Sequence, residues 1–102
     1  MAEKRIVVIT GASSGIGAAL AQRLGSNGHA VVLGARSAEA LDAATRASGH
    51  DALAVVTDVT RRADVERLRD RAIARHGHID AWVNNAGRGI RSEERRVGKE
   101  CA

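Results

Sequence analysis

Residues 10–17, Thr10-Gly11-Ala12-Ser13-Ser14-Gly15-Ile16-Gly17, decide the fold. They begin at the last residue of a buried-type, mostly β-branched strand, residues 5–10 (RIVVIT), and lead into a stretch where Ile16, Ala19, Leu20 and Leu24 recur at helical spacing. A buried strand therefore ends in a turn rich in glycine and serine, and that turn opens a helix. Gly11 permits a sharp exit from the strand, Gly15 leaves room for a ligand to reach the backbone, and Gly17 lets the helix lie close to the sheet. With Ser13, Ser14 and Ile16 they make a segment whose free amides sit at the positive end of a helix, a place suited to a diphosphate. The plainer reading is a simple strand-to-helix connection, but such a turn has no need of three glycines and two serines.

Working outward, the same alternation repeats. Residues 30–35 (AVVLGA) read as a second strand, and Ser37 is a good N-cap for an alanine-rich helix carrying Leu41, Ala44 and Ala47, stopped by Gly49. Residues 51–57 (DALAVVT) read as a third strand. Thr60 is placed to cap a longer helix with Val65, Leu68, Ala72 and Ile73 on its inner face, ending at Gly77. Residues 79–83 (IDAWV) read as a fourth strand. A β-α-β-α-β-α-β order with short connections predicts an α/β fold, a doubly wound parallel sheet covered by helices. Right-handed crossovers give the strand order 3-2-1-4, with strands one and four adjacent where the winding reverses. Ligands of open α/β sheets bind beyond the carboxyl ends of strands at such a reversal. The two segments that start there, residues 10–17 and 84–87, are both rich in glycine, asparagine or serine.

Composition narrows the function. The chain has 102 residues, 44% of them hydrophobic and 27% charged, with no proline, which fits a soluble domain. No apolar run is long enough to span a membrane, and the N-terminus has no signal-peptide core, so a cytoplasmic location is expected. The one cysteine excludes a disulfide framework. The net charge of +4 invites a nucleic-acid reading, but acidic residues are interleaved with the arginines, as in Arg61-Arg62-Ala63-Asp64-Val65-Glu66-Arg67. Tyrosine and phenylalanine are absent and Trp82 is the lone aromatic, so stacking platforms for single strands are lacking and no nucleic-acid partner is expected. His29, His50, His76 and His78 have no metal-ligand spacing and read as surface or capping residues, so no metal site is expected.

The motifs together resemble the short-chain dehydrogenase/reductase family. Residues 10–17 match its TGxxxGIG motif, Asn84-Asn85-Ala86-Gly87 its NNAG motif, and Asp58-Val59 its acidic-apolar pair after the third strand. The resemblance implies a Rossmann-type fold and a nicotinamide dinucleotide cofactor. It implies that Gly11, Ser13, Ser14, Gly15, Ile16 and Gly17 cradle the diphosphate and that Asp58 accepts from the adenine amino group with Val59 beside the ring, the milder alternative being that Asp58 only forms a local turn before the helix. Asn85, Ala86 and Gly87 would line the cofactor near the adenosine ribose, while Asn84 either helps hold the central strands together or is structural only. After the second strand, Ala35 stands where members preferring NAD carry an acid, and Arg36 follows. A guanidinium can fork onto a 2′-phosphate that an acid would repel, so NADP is expected over NAD. Arg36 stacked on adenine or turned to solvent is the milder alternative.

The family's chemistry rests on a Tyr-x-x-x-Lys pair with an upstream serine and an asparagine, and the 102 residues contain no tyrosine. The resemblance thus implies hydride transfer between NADP(H) and a carbonyl or alcohol substrate, whereas this chain presents the cofactor-binding half without catalytic residues and is expected to be inactive alone. The alternatives are a nucleotide-sensing binding module or an inactive fragment. A homo-oligomer is expected at full length. Residues 1–90 read as the N-terminal half of the domain. Residues 91–102 (RSEERRVGKECA) fit no strand or helix expected at this point and resemble a translated sequencing adapter, a non-native tail. Strand four would then be an uncovered edge and the sheet truncated after it, making the chain marginally stable and prone to aggregate.

Overall fold

The computed structural model describes residues 4–13, 15–49, 51–85 and 94–95. The elements run β1 (Ile6–Thr10), α1 (Gly15–Ser26), β2 (Ala30–Ala35), α2 (Ala38–Arg46), β3 (Leu53–Val56), α3 (Arg62–His76), β4 (Ala81–Asn84) and β5 (Glu94–Arg95). The sheet order is β3-β2-β1-β4-β5. The first four strands pair in parallel, with Val8 opposite both Val32 and Trp82. This is the expected 3-2-1-4 order of a Rossmann-type sheet. One addition corrects the expectation that β4 is a bare edge and that the last residues form no strand: β5 pairs antiparallel with β4, Val83 opposite Glu94.

β1 and β2 are buried along their whole length because helices cover both faces of the sheet. Side chains alternate between two cores. Val7, Ile9, Val31, Leu33 and Leu41 meet α1 and α2 on one face. Val8, Val32, Val55, Leu68 and Ile79 meet α3 on the other, with Trp82 packed at the margin. A Cβ on Gly34 would lie 2.9 Å from Leu68 Cδ2, so the missing side chain in mid-β2 lets α3 settle onto the sheet. At the outer edge, Arg67 Nη2 donates to the Val56 carbonyl at 2.7 Å.

Several boundaries and faces differ from the sequence expectation. β3 starts at Leu53 rather than residue 51, and β4 starts at Ala81 rather than residue 79. Asp51 is drawn aside into an ion pair with Lys4 at 2.7 Å, while Asp80 uses its side chain to bond the β1 backbone. On α1 the buried residues are Gly17 and Ala21, whereas Ile16 is 59% exposed and Ala19 is exposed. Close approach of helix to sheet selects the smallest residues for the inner face, leaving Leu20 and Leu24 at its flank. On α3 the inner stripe is Leu68 and Ala72, and Ile73 lies a helical step away at 39% exposure. On α2, Ala47 is exposed and Ser48 is buried in its place. Ser37 caps α2 as expected, its Oγ accepting from Ala40 N at 3.3 Å, and Gly77 ends α3 with a φ of 92°. The N-cap of α3 is Arg61, not Thr60, and Arg61 makes no side-chain capping bond.

Candidate nucleotide site

The carboxyl ends of β1, β2, β3 and β4 carry the residues singled out by sequence. Where β1 and β4 lie side by side, Asn85 binds them together. Its amide donates to Thr10 Oγ1 at 3.1 Å and its Nδ2 donates to the Gly11 carbonyl at 3.2 Å. The side chain that joins the two strand ends is thus Asn85. Asn84 pairs with Thr10 in the sheet, but its exposed side chain accepts from Trp82 Nε1 at 2.9 Å.

Gly17 sits directly above this junction. A Cβ there would overlap the Gly11 carbonyl oxygen and come within 2.6 Å of Asn85 Nδ2. Gly15 is the opposite case: its φ is 61°, a conformation L side chains resist, yet a Cβ would meet nothing within 4 Å. One glycine closes the turn onto the sheet and the other leaves an open approach to the backbone. Ser13 is half-buried beside them, and Ile16 projects outward. Ser14, Ala86 and Gly87 lie outside the described residues.

The electrostatics of the three helix starts differ. α2 has Glu39 in its first turn and α3 has Asp64, whereas α1 has no acid there. The positive end of α1, where Gly15 is the first residue, therefore has no acid in its own first turn to offset it. This arrangement fits a dinucleotide: a diphosphate would supply the missing negative charge at a backbone held clear of side chains.

Next along the same sheet end, Arg36 follows β2 and Asp58 follows β3, tied laterally by Thr57 N donating to the Ala35 carbonyl at 2.8 Å. Arg36 is exposed and, among the described residues, has no hydrogen-bond or ion-pair partner. Asp58 Oδ1 accepts from Thr60 Oγ1 at 2.6 Å and from Thr60 N at 3.0 Å. The Thr60 hydroxyl and amide hold the Asp58 carboxyl below the usual carboxylate range, and the guanidiniums of Arg36 and Arg61 add to that effect. Asp58 stays ionised, able only to accept. Val59 beside it is 41% exposed, an apolar surface next to a fixed carboxylate.

Three residues of this region were not assigned a part in the site by sequence. Thr10 holds the Asn85 amide, Asp64 accepts from Asp58 N at 2.9 Å, and Thr60 holds the Asp58 carboxylate instead of capping α3. Thr10 opens the glycine motif and Asp64 stands in the first turn of α3, so position along the elements could have found both. Thr60 read as a helix cap, which gave no signal of its bond to Asp58.

Among the described residues, His29, His76 and His78 lie at the opposite end of the sheet. His29 Nδ1 accepts from Arg5 N at 3.0 Å, and His78 Nε2 lies 3.1 Å from Asp80 Oδ2. His76 departs from the surface expectation: its Nε2 is buried with no hydrogen-bond partner among the described residues. His50 lies outside them. No group of three or more His, Cys, Asp or Glu among the described residues could hold a metal ion. No helix among them is long and apolar enough to cross a membrane.

A parallel sheet of this order, with a glycine turn at the reversal point, is an NAD(P)-binding Rossmann fold. The sequence profile of the short chain dehydrogenase family matches residues 5–100, and the chain belongs to that family. It is 50% identical over 86 residues to cis-4-hydroxycyclohexanecarboxylate dehydrogenase of Sinomonas cyclohexanicum, covering 82% of this chain and 34% of that enzyme. The structure superposes on 3-ketoacyl-(acyl-carrier-protein) reductase from Brucella melitensis complexed with NADH with a TM-score of 0.81 and 37% identity, over 85% of this chain and 36% of that one. L-Sorbose reductase from Gluconobacter frateurii, complexed with NADPH and L-sorbose, gives 0.80 and 36%, over 85% and 35%. The chain spans about a third of the length of these relatives.

Proposed function

We propose that this chain is the cofactor-binding half of an NADP-dependent oxidoreductase that moves hydride between nicotinamide and a carbonyl or alcohol substrate. The observation that carries this reading is the junction of Gly11, Gly17 and Asn85, which fixes an open glycine turn over the strand reversal. Bound there, the cofactor supplies the hydride chemistry. The chain's own residues bind and orient it. Gly11, Ser13, Ser14, Gly15, Ile16 and Gly17 receive the diphosphate, Asp58 accepts from the adenine amino group with Val59 against the ring, and Asn85, Ala86 and Gly87 line the ribose. None of the residues present performs the proton transfer, so residues 1–102 alone are inactive.

NADP over NAD rests on Arg36, whose side chain stands exposed beside the strand ends with no hydrogen-bond or ion-pair partner among the described residues. A charge-assisted contact with a 2′-phosphate of roughly 1.5–3 kcal/mol corresponds to about a ten- to hundredfold preference. Titration with NADPH and NADH tests it: the native chain binds NADPH more tightly, and Arg36→Ala brings the two affinities together. Equal binding of both by the native chain would remove Arg36 from the site.

The reading extends to the whole protein as a cytoplasmic homo-oligomer with a small-molecule substrate and neither nucleic acid nor membrane as partner. It sets the domain boundary at residue 90, with residues 91–102 a non-native tail, although the family match runs on to residue 100. Resequencing the codons for residues 88–101 tests that boundary: a continuous native frame would overturn it.

A further inference from the structure

The polar groups of Asp58 are nearly all engaged within its own loop. Its N–H donates to Asp64 Oδ2 at 2.9 Å, and its carbonyl accepts from Arg61 N at 2.9 Å. Its Oδ1 takes both the hydroxyl and the amide of Thr60. Oδ2 alone has no partner among the described residues. A carboxylate on a single-bonded stem ordinarily rotates, and a rotating acceptor discriminates poorly between ligands. Here the rotation is stopped by a neighbour that itself gains nothing for the helix, since Arg61 occupies the N-cap position and Thr60 bonds backwards to Asp58.

From this geometry we propose that Thr60 is a positioning residue: by pinning Oδ1 it presents Oδ2 of Asp58 to the amino group of the adenine base, and so makes the site select adenine over a base bearing a keto group there. The proposal rests on the reading of Asp58 as the adenine acceptor. The selection has a simple origin. An exocyclic amino group donates to a carboxylate, whereas a keto oxygen is a second acceptor and leaves the fixed carboxylate facing a lone pair. A mobile carboxylate would turn away from the keto group. A pinned one cannot, so the penalty depends on Thr60.

The test compares NADPH with its analogue carrying hypoxanthine in place of adenine, using quenching of the Trp82 emission by the 102-residue chain. The native chain should bind NADPH about tenfold more tightly than the analogue. Thr60→Val removes the hydroxyl donor while keeping the amide, and should bring the ratio within about threefold, as loss of one such bond allows. Thr60→Ser should restore the native ratio. Thr60 is exposed, so valine and alanine leave no cavity there. Both are melted in parallel and the ratio is read on each that keeps the native transition. A role confined to loop stability would weaken both nucleotides equally and leave the ratio unchanged in a folded Thr60→Val or Thr60→Ala chain, and that result overturns the proposal. A native chain that binds both nucleotides alike overturns the reading of Asp58 itself, and the proposal with it.

Discussion

The two ends of the sheet use the same backbone chemistry and arrive at opposite outcomes. At the amino ends of the strands the chain closes on itself. Ile6 N donates to Asp80 Oδ2, Arg5 N donates to His29 Nδ1, Ala30 N to the Arg5 carbonyl and Asp80 N to the Ile6 carbonyl. Lys4 and Asp51 add an ion pair across the surface. At the carboxyl ends the chain ties down its framework through Asn85, Thr10 and Thr57 but leaves Gly15 open, the start of α1 without an acid and Arg36 unpaired among the described residues. The comparison separates groups satisfied internally, which serve stability, from groups left facing outward, which have a use only when something else meets them.

Gly17 provides the most severe test of that division. Gly17→Val drives a side chain into the backbone carbonyl of Gly11 and into Asn85 Nδ2, whose displacement breaks the bond that ties the two loops together. A loss of roughly 3 kcal/mol, the upper part of the range for overpacking, is expected in urea unfolding, together with loss of NADPH binding. A variant with native stability and affinity would show that the junction is not the closed structure described. Asp80→Ala sharpens the contrast from the other end. It strips Ile6 N of its acceptor and should cost about 1–3 kcal/mol while the folded fraction keeps native affinity for NADPH. A change in affinity beyond the loss of folded protein would mean the two ends are not independent.

The smallest effect is a pH dependence at the amino end. Burial holds the His76 imidazole below its ordinary value of 6.5, with the charges of Arg75 and Lys4 acting in the same direction, Asp51 opposing them and His78 reinforcing them. The unfolded chain therefore takes up the proton more readily than the folded one. Stability from this group is fully present above the unfolded value and declines as pH falls from about 6.5 toward the lower folded value. Melting curves between about pH 7.5 and about pH 5.5 should show the decline in the native chain and a flatter profile in His76→Gln. Parallel profiles would remove His76 as the cause.

The strand order, and with it the sheet end that carries the glycine turn, was legible because it depends on many residues at once. Alternating apolar runs fix four parallel strands whatever happens at their ends, and short connections leave one topology. The faces of α1 were not legible. Ile16 and Ala19 look like core residues by hydropathy, but the helix approaches so closely that only Gly17 and Ala21 fit beneath it. The small polar residues were harder still. Thr60 before a helix is an ordinary capping candidate, and nothing in the local sequence says that its hydroxyl turns back to Asp58. Nor does the sequence say that Thr10 and Asp64 supply acceptors to backbone amides of other segments. Such bonds depend on where two loops come to rest, which only the folded sheet decides.

The guanidinium of Arg67 on the outermost carbonyl of β3 has a bearing on how molecules of this chain meet one another. A neighbouring copy adding a strand along that margin would have to evict a charged donor before forming its first rung. Lateral growth of the sheet from this side is thereby discouraged by a single side chain.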